Sequence, residues 1–269
     1  MEISSEYKNA FDAAACAYDA EFTNTPIGKL QRERVRHFLG RSLKETSLSI
    51  LEINCGTGED AIWLAKKGHG VMATDTSEKM IEITRQKIEE QKLNAKISSK
   101  QVSFNELNKN FPEEKFDLIF SDFGGLNCIA EIELKKLAEG FSSLLKPNGK
   151  LIAVVMGRKC LWERFYFGVK RKFKEAFRRS SKEKVEVRME NEIISTWYYS
   201  PREFKQIFKG HFRLVRKRPV GLFVPPSFLN CFFADKKSLL GIFNTFEKLF
   251  PFSIMSNYAD HFYIELKKS

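Results

Sequence analysis

The sequence predicts an α/β protein: a doubly wound parallel sheet of seven strands with helices on both faces, a helical N-terminal segment and an inserted α+β cap. Three observations carry this. Short apolar runs alternate with helical patterns from Leu48 to Met156, the signature of a parallel sheet covered on both sides by right-handed crossovers. A Gly-x-Gly turn, Gly56 and Gly58, lies where the first apolar run gives way to a helix, and Asp75 ends the next run. After Met156 the alternation breaks, then two further strand patterns appear near the end of the chain.

In chain order, residues 1–45 read as amphipathic helix. LSILEI (48–53), GVMATD (70–75), a weaker segment at 95–104, FDLIF (116–120) and KLIAVVM (150–156) read as buried strands, because nearly continuous apolar runs of four to eight residues suit strands covered on both faces. Residues 59–67, 77–92 and 131–145 read as the intervening helices. In the last, Leu134, Leu137, Ala138, Phe141, Leu144 and Leu145 fall on one face. Residues 159–179 suggest one basic helix, 183–199 alternate like a hairpin, and Ser200-Pro201 opens a helix over 201–209. Residues 212–218 and 261–267 supply the final strands, separated by a Phe- and Pro-rich insertion at 219–257. The chain thus divides into helices and core at 1–157, a basic helix and hairpin at 158–200, and the end of the sheet at 201–269 with 219–257 as an apolar lid.

The 269 residues, 43% of them hydrophobic, suffice for one core domain with insertions. Cys16, Cys55, Cys128, Cys160 and Cys231 are odd in number and widely spaced, which argues against a disulfide scaffold or a zinc cluster and for a reducing, cytoplasmic compartment. His37, His69 and His211 have no metal-ligand spacing, so no metal is expected. The N-terminus lacks a signal-peptide pattern, and the uncharged stretch 219–234 is too short and too proline-rich to span a bilayer. The net charge of +11 is uneven: residues 158–184 hold eleven Lys and Arg against three Glu, a local field that favours anionic partners.

The turn 51–60, LEINCGTGED, places its glycines where the backbone must bend sharply and approach a ligand. Asp75, 19 residues beyond Gly56, stands where a carboxylate accepts hydrogen bonds from ribose hydroxyls. A dinucleotide site needs a third glycine and a helix N-terminus free for pyrophosphate. Here Glu59 and Asp60 open the helix instead, and they would repel phosphate. A phosphate-free nucleoside carrying positive charge, S-adenosylmethionine, suits these carboxylates and Glu52.

At these residues the sequence resembles the class I S-adenosylmethionine-dependent methyltransferases of small-molecule type. E-I-N-C-G-T-G is similar to their first motif, V-M-A-T-D-T-S-E-K-M to the second, F-D-L-I-F-S to the fourth strand and L-L-K-P-N-G-K-L-I to the turn into the fifth. The resemblance spans about 48–157 and implies a Rossmann-like sheet whose last strand is antiparallel. It also implies that Glu52 and the loop Asn54, Cys55, Gly56, Thr57 and Gly58 hold the methionine part, with Asp75 and the adjoining Thr76 at the ribose. Met80 would pack on the adenine, Ser103 and Phe104 lie at its edge, and Ser121 and Asp122 sit near the ammonium. S-adenosylhomocysteine would be the product. Asn54 stands where the family has its first glycine, a position at which Asn tolerates left-handed backbone angles.

Methyl transfer is an in-line displacement whose leaving group needs no proton, so orientation in a dry site supplies much of the catalysis. An antiparallel last strand would bring Asp260 and His261 to the carboxyl rim, making them the first candidates for a base. Tyr18 is a candidate to close over the methyl donor, and Asn127 and Arg158, after the fourth and fifth strands, to touch substrate. Sixteen of the 25 Phe lie between 165 and 262, which points to an apolar or aromatic acceptor or to a cap with its own core. The segment 159–179 reads either as a membrane-surface helix or as an aromatic face packed on the core. Two alternatives remain for function: an RNA or DNA methyltransferase served by the basic segment, and a non-catalytic S-adenosylmethionine-binding module at a membrane or partner surface. The oligomeric state is left open.

Overall fold

The computed structural model describes residues 4–43, 45–189 and 192–269. Helices α1 (Ser4–Tyr18) and α2 (Pro26–Gly40) precede the sheet, joined by a π-helical turn at Asp19–Thr23. Thr25 caps α2 by accepting from Gly28 N at 3.0 Å, and Pro26 takes the first helical position, where its missing N–H costs nothing. The core then runs β1 (Ser49–Glu52), α3 (Glu59–Lys66), β2 (Gly70–Asp75), α4 (Glu78–Glu90), β3 (Ile97–Gln101), α5 (Leu107–Asn110), β4 (Phe116–Ser121), α6 (Glu131–Leu144) and β5 (Leu145–Met156).

Beyond the core come α7 (Leu161–Val169), α8 (Phe173–Phe177), β6 (Val185–Met189), β7 (Glu192–Thr196), α9 (Pro201–Phe208), β8 (Phe212–Val220), α10 (Asn230–Phe233), α11 (Lys237–Leu249) and β9 (His261–Lys268). The seven-stranded sheet has the order β3-β2-β1-β4-β5-β9-β8. Strands β1 to β5 pair in parallel, and β9 is antiparallel to both of its neighbours. One core joins the sheet to α6 and α9 through Leu134, Phe141, Phe204 and Phe208, and the other joins it to α2, α3 and α4 through Phe38, Leu64 and Ile88. The strand order reverses between β1 and β4, which opens a crevice at their carboxyl ends.

Two expectations change. The basic helix expected over 159–179 is two short helices, because Arg171 adopts a left-handed φ of 57° between α7 and α8 and an α-helix cannot continue through that angle. The insertion at 219–257 does not line the cavity described below. Val224, Leu229, Phe233 and Leu240 form a separate core with Ile27 of α2, against which Trp162 and Tyr166 pack. The expected hairpin forms as β6 and β7, and its turn, 190–191, lies outside the described residues, as do 1–3 and 44 of the expected N-terminal helix.

Candidate cofactor and acceptor cavity

The loop after β1 is shaped by two left-handed glycines, Gly56 (φ 54°) and Gly58 (φ 81°). At Gly58 an added Cβ would come within 2.8 Å of the Thr84 methyl, so the residue is fixed both by angle and by space. Cys55 N donates to Thr74 O at 2.9 Å, tying the loop to β2. Asp75 spans the crevice: Oδ2 accepts from Gly56 N and Oδ1 from Ser77 N, each at 2.9 Å. Burial raises the Asp75 carboxyl to about 6 against these N–H donors.

Along the carboxyl edge of the sheet these residues border a cavity of about 210 Å³. Toward β2 and β3 its wall is Asp75, Thr76, Met80, Ser103 and Phe104. In the middle lie Glu52 and the 54–57 loop, with Asp122 after β4. Toward β5 the wall turns apolar, with Phe123, Ile129 and Met156, and it is closed by Tyr7 and Phe11 of α1 and by Met189 and Ile194 of the hairpin. Tyr7 Oη donates to Ser195 O at 2.7 Å, so α1 and the hairpin are clasped together over the cavity.

The charges in the middle are unbalanced. Glu52 Oε2 and Asp122 Oδ2 are buried and accept no hydrogen bond. Burial, then the neighbouring carboxylates, push both carboxyls well above their ordinary range, and Arg32 only partly opposes this. Asp60, although buried, is held below the usual range by Arg32 and Arg36. Arg32 Nη1 pairs with Asp60 and stands 4.0 Å from Asp122 Oδ2, and its guanidinium lies 5.2 Å from the Phe123 ring centre. Carboxyl oxygens left without donors beside a Gly-rich turn fit a ligand that brings its own ammonium or sulfonium and no phosphate.

The cofactor residues read from the sequence therefore gather around one cavity, except Gly58 and Ser121, which act from behind it. Ser121 Oγ donates to Asn54 Oδ1 at 2.6 Å. Asn54 does not take a left-handed angle. Its amide ties β1 to β4 through Asp122 O at 2.6 Å, and Gly125 makes room for it. Tyr18 borders the cavity at Gly56, and its phenol, pushed up to about 12 by burial, stays neutral.

Four of the substrate or catalytic candidates do not border the cavity. Asn127 is fully buried and spends its amide on Met156 and Trp197 backbone atoms. Arg158 pairs with Glu203 at 2.7 Å and with Ser181 O. His261 stands behind Phe123, ring to ring at 5.6 Å, and does not border the cavity. Asp260 is bound by Arg179 at 2.9 Å and lies 3.2 Å from His261; against its burial, these two hold its carboxyl well below the usual range. What the sequence reading missed is Arg32, together with the roof of Tyr7, Phe11, Met189 and Ile194. Arg32 and Arg36, one turn apart on α2 and opposite the acid-opened α3, were the available signal for the cation.

Residues 50–149 match the profile of the methyltransferase domain family. This segment is thus similar to a methyltransferase domain. Among relatives of the methyltransferase domain, a protein of Geobacillus sp. (strain WCH70) assigned to the methyltransferases is 32% identical over 147 residues, covering 53% of this chain and 56% of that protein. The demethylmenaquinone methyltransferase of Clavibacter sepedonicus is 28% identical over 146 residues, covering 53% of this chain and 54% of its own. The chain thus spans about half the length of the curated relatives it matches. The CcbJ methyltransferase of Streptomyces caelestis shares the whole fold, with a TM-score of 0.64 over 100% of both chains at 14% identity.

Proposed function

We propose that the protein transfers a methyl group from S-adenosylmethionine to a small apolar or aromatic acceptor. The observation that carries this reading is one cavity with two characters: carboxyl oxygens of Glu52 and Asp122 without donors around the Gly-rich turn, and an apolar wall under α1 and the hairpin. Glu52 and Asp122 would hold the cationic methionine end, Asp75 the ribose, and Met80, Ser103 and Phe104 the adenine. When bound, the cofactor supplies an activated methyl group. The chain's own part is to align the acceptor against it and to exclude water beneath Tyr7, Phe11 and Ile194. Tyr18, a neutral phenol at the edge of the turn, serves as a positioning donor rather than as a base.

One relative is by its name a demethylmenaquinone methyltransferase, and the apolar end of the cavity accords with an acceptor of small-molecule kind. Arg158, Arg178 and Arg179 are engaged with Glu203 and Glu163.

Calorimetry with S-adenosylmethionine and S-adenosylhomocysteine tests the reading. The wild type should bind both, and Asp75→Ala should weaken binding roughly 30-fold through the loss of two hydrogen bonds to a charged group. Equal binding by the two proteins removes the ribose contact. Uptake of a pyrophosphate nucleotide in preference to either ligand rejects the reading altogether.

A further inference from the structure

Large hydrophobic side chains are exposed in a pattern that the core and cavity do not explain. On α7 and α8 the outward residues are Phe165 (68% exposed), Val169 (70%), Phe173 (62%) and Phe177. On the insertion they are Phe232 (60% exposed), Ile242, Leu249 and Ile254 (67%). The two groups sit on segments packed side by side. The Phe167 and Phe228 rings stack at 5.9 Å, Trp162 meets Phe243 at 5.5 Å, and Leu161 N donates to Tyr258 O at 3.0 Å.

Cations are interleaved with these rings. Lys236 Nζ lies 3.4 Å from the Phe232 centre, Lys170 Nζ 4.2 Å from Tyr166 and Arg164 5.1 Å from Phe177. Exposed Arg171, Lys172 and Lys174 add to them. Of the acidic groups on the same segments, Glu163 is spent on Arg178 and Arg179, Glu247 is buried on backbone N–H groups, and half-buried Glu175 and exposed Asp235 are outnumbered by the cations. The face is therefore apolar and positively charged at once.

We infer that this face, formed by α7, α8, α10 and α11, docks the protein on an anionic lipid bilayer. Phenylalanine and branched aliphatic side chains standing out from short helices enter the acyl boundary, and Lys and Arg ring them at headgroup level. A second copy of the chain is a poor occupant, because an isologous contact would set this positive face against itself. Nucleic acid suits the cations but gives Val169, Ile242, Leu249 and Ile254 nothing to bury against. Among the described residues no helix is long and apolar enough to cross a membrane. An apolar acceptor dissolved in the bilayer would be met at that surface.

Sedimentation with phosphatidylcholine vesicles, with and without phosphatidylserine, tests the assignment without cofactor or acceptor, so its failure leaves the methyl-transfer reading untouched. The wild type should partition at least about tenfold better onto the anionic vesicles, and salt should weaken that partition. Phe165→Ser with Phe232→Ser, and separately Lys172→Glu with Lys174→Glu, should each lower it about tenfold while the melting temperature stays unchanged, since all four side chains are exposed. Equal or absent partition onto both vesicles overturns the proposal. So does a dimer in sedimentation analysis that the two Phe substitutions dissolve, or tighter binding to single-stranded RNA than to anionic vesicles.

Discussion

A carboxyl group that loses its water without gaining a donor is pushed toward its neutral form, and Glu52 is in that position, with its Oε2 unpartnered. A cationic ligand beside it reverses the balance, because it stabilises the ionised form. The sign follows from linkage. The carboxyls of Glu52 and Asp122 are raised in the free protein and lowered in the complex, so binding releases protons. Affinity for S-adenosylmethionine should therefore fall as pH drops below their free-state range, by about tenfold per pH unit for each proton released, and level off above that range. Asp75, at about 6 in the free protein, adds to the slope from the ribose side. Calorimetry from pH 5 to 8 in two buffers of different ionisation enthalpy would show the released proton directly. Glu52→Gln should flatten the curve, and a pH-independent affinity in the wild type would remove the cationic contact from the site.

At the scale of elements, the loops after β1 and β4 are interlocked through Asn54 and Gly125. A Cβ added at Gly125 would fall 2.4 Å from Asn54 Cγ, and the Asn54 amide is pinned by Ser121 and Asp122 O. Gly125 does not have a positive φ, so alanine is excluded there by its neighbour and not by its backbone. Gly125→Ala should thus lower the melting temperature and weaken cofactor binding about tenfold or more. Asn54→Gly in the same chain should recover much of both, although Asn54→Gly alone loses two hydrogen bonds worth roughly 1–3 kcal/mol. A double-mutant cycle with no coupling between the two sites would refute the interlock.

The elements themselves show what the sequence could disclose. The apolar run GVMATD is β2 end for end, and 131–145 is α6 to within a residue, because buried strands and one-sided helices stamp their period on the chain. The segment 161–177 misled for a related reason. Its aromatic spacing suits a continuous helix, and nothing local announces the left-handed Arg171 that divides it. The roof of the cavity was illegible because Tyr7 and Ile194 meet across 187 positions of chain, and no pattern within either segment records the other. His261 was placed at the correct rim by topology, yet whether it faces the cavity or lies behind Phe123 is decided by side-chain packing alone.

Over the whole molecule, the cavity and the aromatic insertion are built as separate bodies. α1 and the hairpin roof the cavity, while 221–257 packs on α2 and α7 and contributes nothing to its wall. Within the insertion one buried carboxylate ties α11 to the turn that leaves β8. Glu247, on α11, accepts from Gly221 N at 3.0 Å, Phe223 N at 2.7 Å and Val224 N at 3.3 Å, and Arg34 donates to its carbonyl at 2.6 Å. Burial raises its carboxyl despite these donors, and the three N–H groups have few alternatives once it is removed. Glu247→Ala should cost roughly 3 kcal/mol or more, because buried donors would be left without an acceptor, and should lower the melting temperature by on the order of 10 °C. At a temperature where the variant remains folded, its affinity for S-adenosylhomocysteine should stay within about twofold of wild type, since none of the four groups borders the cavity. Unchanged melting would show that the insertion is held by its apolar core alone. A loss of cofactor affinity in the folded variant would show that the two bodies are coupled after all, and the separation of binding from anchoring would fall.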